Sequence, residues 1–327
     1  MKFYYCRMQM IVNCFRKSCY NRCDQLTERT KEAMEQNLTG SSDKATREYL
    51  DSLFVEMRHL DARKPDTSFH LYGERFDTPV MTTVLSHATN LTDGELVGIA
   101  KGVKMAGAVN FAGMGDKEEL EDIIQTGART IKIIKPYADN NMISDRIAHA
   151  EKCGAFAVGI DIEHVFNSSG EHDTVMGYEM CPKTLEEMKE FVNMTSLPFI
   201  VKGVLSVRDA YKCLKAGVKG IVVSHHHGIM EGIVSPLKVL PSIVKVIGGE
   251  IPVFLDCEML SGMDVFKALS LGADGVCVDR VIMEPFREKG AEGVKDAILK
   301  ITDELRGVMA GTGCYDLSHM DSSVIWK

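Results

Sequence analysis

Three short apolar runs in this chain end in residues that can do chemistry. Phe199-Ile-Val-Lys202-Gly203 closes on a lysine. Gly220-Ile-Val-Val-Ser224-His225-His226-His227-Gly228 closes on a hydroxyl and successive histidines, and Ile251-Pro-Val-Phe-Leu-Asp256-Cys257-Glu258 closes on carboxylates. Buried parallel strands read as continuous apolar runs of this kind, and parallel α/β folds bind ligands beyond the carboxyl ends of their strands. Other runs end in the same way, at His87, Asn110, Lys132 and Lys135, at Asp161, Glu163 and His164, and at Asp279-Arg280. Buried charges need partners, so a set this large predicts a functional pocket. Lys202 is suited to stabilising an anion or, with a depressed pKa, to acting as an amine nucleophile. One inward histidine would serve as a general base near neutral pH, and alternation sets His226 opposite to its two neighbours.

The elements that must position these residues alternate from Pro79 onward. Candidate strands are Pro79–Val84, Gly107–Phe111, Thr130–Ile134, Ala157–Ile162, Pro198–Val201, Gly220–Ser224, Val253–Asp256 and Gly275–Val278. Helical patterns lie between and after them, from Gly94–Ala106 to Glu292–Met309, with glycine stop signals at Gly154, Gly217 and Gly272. Eight strand–helix units over about 230 residues predict a (β/α)8 TIM barrel, where a doubly wound sheet would stop at five or six strands. The expected organisation is a basic, cysteine-rich arm over 1–23, a helical cap over 24–78 (helices Leu26–Asn37 and Lys44–Leu60), and a barrel over 79–327. A long loop at 163–182, rich in Gly, Ser, Asn and His, reads as a lid or an unstructured connection.

Composition narrows the function classes. The chain of 327 residues is 45% hydrophobic and 26% charged, an ordinary globular balance able to bury a large core. A net charge of -8 argues against general nucleic-acid binding, which needs clustered Lys and Arg. No apolar stretch is long enough for a transmembrane helix. The arm holds Cys6, Cys14, Cys19 and Cys23 in spacings that match no zinc or cluster pattern, and the remaining cysteines are scattered as reduced thiols of a cytoplasmic protein would be.

Several of these blocks carry a resemblance. Val201-Lys202-Gly203-Val204, the helix Ser206–Gly217 and Gly220–Gly228 resemble the FMN-dependent α-hydroxy-acid oxidases and dehydrogenases, the group of glycolate oxidase and lactate oxidase. The run from Ile251 through Asp256 to Gly262-Met-Asp264 and Ala273-Asp-Gly, and Met309-Ala-Gly-Thr-Gly-Cys314 before Asp316-Leu317, extend it. The resemblance implies FMN, a small anionic substrate and a homo-oligomer. It places Lys202 beside the flavin N1–O2 edge, His226 as the base that takes a proton while the substrate's α-carbon delivers hydride, and Glu163 as the acid paired with that histidine. Thr83, Ser224, Asp256 and Arg280 match cofactor-binding positions, the last a phosphate ligand.

The resemblance also has gaps. An arginine that clamps the substrate carboxylate is replaced by Ile229, and a substrate-binding tyrosine aligns with Lys135, which would have to take over the carboxylate. The phosphate cradle, Asp-Gly-Gly-x-Arg in the family, reads Asp256-Cys257-Glu258-Met259-Leu260, and a glycine beside Arg280 is Asp279. At a few ångströms and an effective dielectric near 20, each such carboxylate costs on the order of several kcal/mol of phosphate affinity unless it turns away.

Two other readings follow from the same residues. His87, Glu163, His164, His225 and Glu258, with His227, supply nitrogen and oxygen ligands for a divalent metal, and Lys202 or Lys135 could form a Schiff base. A barrel that binds without catalysing is the third class.

Overall fold

The computed structural model describes residues 41–86 and 94–327. The arm over 1–23, the helix expected over Leu26–Asn37 and His87 lie outside the described residues. Eight strands form one parallel sheet: β1 Val80–Thr82, β2 Asn110–Ala112, β3 Thr130–Ile134, β4 Ala157–Asp161, β5 Phe199–Lys202, β6 Gly220–Val223, β7 Val253–Leu255 and β8 Gly275–Val278. They neighbour one another in chain order, and β8 pairs in parallel with β1 from Val276↔Val80 to Val278↔Thr82. The remaining seam, β1 to β2, is held by the bridge Leu85↔Ala112 and by backbone bonds from Thr82 to Val109 (3.2 Å) and from Gly113 to Leu85 (2.8 Å). The sheet therefore curls into the expected (β/α)8 barrel.

Ten helices are described: α1 Ser41–Asp51, α2 Glu95–Met105, α3 Lys117–Gln125, α4 Asn140–Cys153, α5 Leu185–Asn193, α6 Val207–Ala216, α7 Pro236–Ile247, α8 Gly262–Ser270, α9 Arg280–Lys289 and α10 Ala291–Thr312. Their starts are written in the sequence. Asp116, Asp139, Thr184, Ser206 and Ser261 each accept a backbone N–H of the first turn, and Thr184 with Glu187 completes a capping box. Gly154 and Gly217 end α4 and α6 in the left-handed conformation that those stop signals require.

Strand alternation separates two cores. Met81, Val109, Phe111, Ile131, Ile133, Ala157, Ile200, Val222, Phe254 and Cys277 fill the barrel interior, while the intervening residues join the helices in an outer layer. Lys132, one of the candidate strand-end residues, belongs to the outer face. Its ammonium donates to the Gly113 carbonyl, and burial pushes its pKa down to about 8. It is no part of the barrel mouth.

The segment before the barrel differs from the expected helical cap. The helix expected over Lys44–Leu60 ends at Asp51, and Phe54-Val55 pairs with Ile325-Trp326 in an antiparallel ribbon that leaves Leu60 94% exposed. Phe69–Leu71 and Glu74–Phe76 then form a hairpin turned by Tyr72 and Gly73, both at positive φ. Phe69, Leu71 and Phe76 join the interior core, and Tyr72 donates to the Lys219 carbonyl just before β6. The hairpin thus plugs the amino end of the barrel, and helix α1 lies at the opposite end. The long 163–182 connection is also structured: Thr174-Val175 pairs with Tyr178-Glu179, and Met180 bridges to Tyr137.

Candidate active site at the carboxyl ends of the strands

In seven of the eight strands the inward-facing alternation continues upward by two residues to a polar side chain. Met81 leads to Thr83, Ile133 to Lys135, Gly159 to Asp161, Ile200 to Lys202, Val222 to Ser224, Phe254 to Asp256 and Cys277 to Asp279. Period-two alternation therefore places a polar ring directly on an apolar core. Thr83, Asp161, Lys202, Ser224 and Asp256 are all buried.

Lys202 is the hub. Its Nζ lies 2.6 Å from Glu163 Oε2, 3.2 Å from Ser224 Oγ, 3.3 Å from His226 Nδ1 and 3.7 Å from Asp256 Oδ2. Asp256 Oδ2 also accepts from Thr83 Oγ1 at 3.0 Å. Burial alone would lower the Lys202 pKa, but Glu163, Asp161 and Asp256 outweigh it and hold it above the ordinary lysine value. Glu163 is held well below the carboxylate range: burial opposes its charge, and Lys202 and His226 more than compensate. The lysine is a fixed cation, which removes the depressed-pKa amine needed for a Schiff base.

His226 sits over this ion pair and is the accessible member, 31% exposed at its side chain. Its Nδ1 is 3.2 Å from Glu163 Oε2 and 3.3 Å from Lys202 Nζ, and one ring nitrogen cannot both donate to the carboxylate and accept from the ammonium. With Glu163 as acceptor, Nδ1 carries the proton and Nε2 is the basic nitrogen, a tautomer assigned from the network. The turn that aims it is left-handed at both His226 and His227, with φ of 49° and 55°. Gly203 makes room beneath, since a Cβ there would come 2.2 Å from Glu163 Cγ.

Other candidates fall elsewhere. Lys135 reaches the ring, but its ammonium is 2.5 Å from Asp161 Oδ2, so it is no unshared ligand for a substrate carboxylate. His225 turns away to α1: Nε2 meets Thr46 Oγ1 at 2.8 Å and Nδ1 accepts from the Gly228 N–H at 3.1 Å. His164 packs edge-on against His226 and pairs with Asp173, and Ile229 is 39% exposed. Of the metal set, Glu163, His164, His225 and Glu258 are described and do not converge on one point, and His87 lies outside the described residues. The acidic clusters that do converge, Asp161–Glu163–His226 and Asp43–His227–Glu258, already hold a protein cation: Lys202 contacts Glu163 and His226, and Arg280 contacts all three of the second group.

The second group lies beyond β7 and β8. Arg280 Nη1 is 3.0 Å from Glu258 Oε1, and Nη2 is 3.0 Å from Asp43 Oδ2 and 2.9 Å from His227 Nδ1. His227 Nε2 lies 2.6 Å from Asp279 Oδ2. Burial, with repulsion from Asp43 and Asp279 and against the pull of Arg280, pushes the Glu258 pKa up to about 7. Asp43 and Arg47 carry no sequence signal beyond helix propensity, yet α1 brings both here. Arg47 bridges Asp264 at 2.7 Å and the Glu258 carbonyl at 3.1 Å.

Residues 33–188 and 180–327 match the family model for FMN-dependent dehydrogenases. The chain belongs to that family. L-lactate oxidase of Lactobacillus jensenii is 30% identical over 295 residues, covering 79% of this chain and 71% of the relative. Human 2-hydroxyacid oxidase 1 is 25% identical over 304 residues, covering 80% and 82%. Among solved structures, mandelate oxidase with a monooxide FMN adduct superposes with a TM-score of 0.79 at 27% identity, covering 87% of this chain and 91% of that one.

The residues present could meet the polar edge of the family's cofactor. Thr83, Lys202, Ser224 and Asp256 form a buried, mutually bonded polar set, and Glu163 Oε1 is buried without a hydrogen-bond partner, as an acceptor awaiting a donor would be. Arg280, which the resemblance makes a phosphate ligand, is already held by Glu258, Asp43 and His227.

Proposed function

We propose that this protein is an FMN-dependent oxidoreductase that oxidises a 2-hydroxy acid to the 2-oxo acid. The observation that supports it is the Lys202–Glu163–His226 cluster at the barrel mouth of a member of this family. The relatives' names, 2-hydroxyacid oxidase, lactate oxidase and mandelate oxidase, all denote oxidases of 2-hydroxy acids.

In this reading Thr83, Ser224, Lys202 and Asp256 hold the flavin ring, and the bound flavin supplies the two-electron acceptor. His226 Nε2 takes the substrate's hydroxyl proton while hydride leaves the α-carbon. Glu163 keeps the imidazole in the required tautomer and stabilises the imidazolium that results. Lys202, held charged by its carboxylates, stabilises negative charge developing on its ligand without titrating itself. The substrate's carboxylate meets Lys135 in its pair with Asp161, and Ile229 in place of a guanidinium, so we expect a looser hold on the acid. Cytoplasmic residence and homo-oligomeric assembly are part of the proposal and rest on composition and family resemblance.

Titration with FMN tests the reading. It should give a saturable difference spectrum near the flavin bands at about 370 and 450 nm, and the loaded protein should convert a 2-hydroxy acid to its 2-oxo acid. No saturable spectral change with any flavin overturns it.

A further inference from the structure

The loop after β7 has the backbone of a glycine turn without the glycines. Cys257 and Glu258 stand at φ of 80° and 59°, a region where a side chain is strained. Such a conformation persists where the surroundings fix it, and here the Glu258 side chain is drawn inward and buried against Arg280. Arg280 and two backbone donors beside this loop are committed to protein groups. Arg280 faces Glu258, Asp43 and His227. At the start of α8 the Leu260 N–H donates to Asp264 at 3.2 Å and the Gly262 N–H to Glu304 at 2.9 Å. Asp279 caps α9 and pairs with His227. Three carboxyl groups, from α1 and from the ends of β7 and β8, thus surround one guanidinium and one imidazole.

We propose that the Glu258 carboxyl group is a built-in occupant of the anion seat on Arg280, so that the chain recognises a flavin through its ring and binds phosphate-free flavin at least as tightly as FMN. This inference rests on the flavin reading above and deepens it. A terminal phosphate entering the seat must displace a buried carboxylate from its guanidinium and face Asp43 and Asp279 as well. A neutral hydroxyl end meets none of that repulsion, and Lys202, Ser224, Thr83 and Asp256 are independent of the seat.

Fluorescence-quenching titrations of the full chain with FMN and with riboflavin, at a fixed pH of about 8, decide it. The expected result is an FMN-to-riboflavin affinity ratio of about one or less in the unmodified chain. Glu258→Gly should raise that ratio by about tenfold or more, with riboflavin affinity little changed. Glu258→Gln, which keeps the shape and removes the charge, should move it part-way and guards against a glycine variant that fails to fold. FMN binding about tenfold tighter than riboflavin in the unmodified chain overturns the inference and leaves the flavin enzyme standing. An unchanged ratio in both variants also overturns it. Failure of the unmodified chain to bind either flavin overturns this inference and the flavin reading together.

Discussion

At the residue scale the site is a stacked pair: a buried lysine–glutamate ion pair below and an accessible histidine above. The charge on Lys202 and the tautomer of His226 both depend on Glu163, so their contributions are coupled. His226→Ala should lower turnover about a hundredfold or more by removing the base, and Lys202→Met should do the same by removing the fixed cation. Unchanged turnover in either variant would refute its role. Gly203 is the positioning residue. It stands at φ 98°, and an added Cβ would sit 2.2 Å from Glu163 Cγ. Gly203→Ala should displace Glu163, lower turnover at least tenfold and reduce stability by about 1–3 kcal/mol. Full activity and stability in that variant would show that Glu163 does not need its present place. Much of this was legible in the sequence, because Lys202, Asp256 and Ser224 follow apolar runs at strand ends. Pairing was not: nothing in the order of residues ties Lys135 to Asp161 or Arg280 to Asp43, which lie 26 and 237 positions apart.

At the element scale the strands were the most legible part, since each is a short apolar run bounded by helix caps and glycine stops. Helix α9 was missed, because Pro285 inside Arg280–Lys289 reads as a break and no loop separates the helix from β8. The pre-barrel segment was misread as helix past Asp51, because the pairing of Phe54-Val55 with Ile325-Trp326 is a contact between chain ends that local propensity does not contain. Helix α1 is tied to the mouth chiefly by Arg47, whose guanidinium makes a two-pronged pair with the buried Asp264 carboxylate at 2.7 and 3.1 Å. Arg47→Ala leaves that carboxylate without its guanidinium partner, at an expected cost of about 3–5 kcal/mol. Hydrogen exchange should then accelerate in residues 41–51 before it does in the barrel strands, and an unchanged exchange rate there would contradict this anchoring.

At the scale of the whole molecule, a stable barrel carries two charge clusters of different purpose at one end. The first is arranged for proton transfer, and the second is a closed network whose stability should depend on pH. The folded-state pKa of Glu258, about 7, lies above its ordinary value of 4.5. The folded protein therefore holds this proton more tightly than the unfolded chain. The stabilisation is complete below about pH 4.5 and is lost as pH rises through about 7, by on the order of 3 kcal/mol. Urea midpoints should accordingly show the unmodified protein losing stability relative to Glu258→Gln across that window, and parallel profiles would contradict the assignment. The most direct test of the enzyme itself is anaerobic mixing of flavin-saturated protein with glycolate, lactate and mandelate in turn. At least one acid should bleach the flavin band at about 450 nm, with one 2-oxo acid formed per flavin reduced, and bleaching should be about a hundredfold or more slower in His226→Ala. A flavin band that stays oxidised with every acid, or that bleaches equally without His226, would contradict the proposed function.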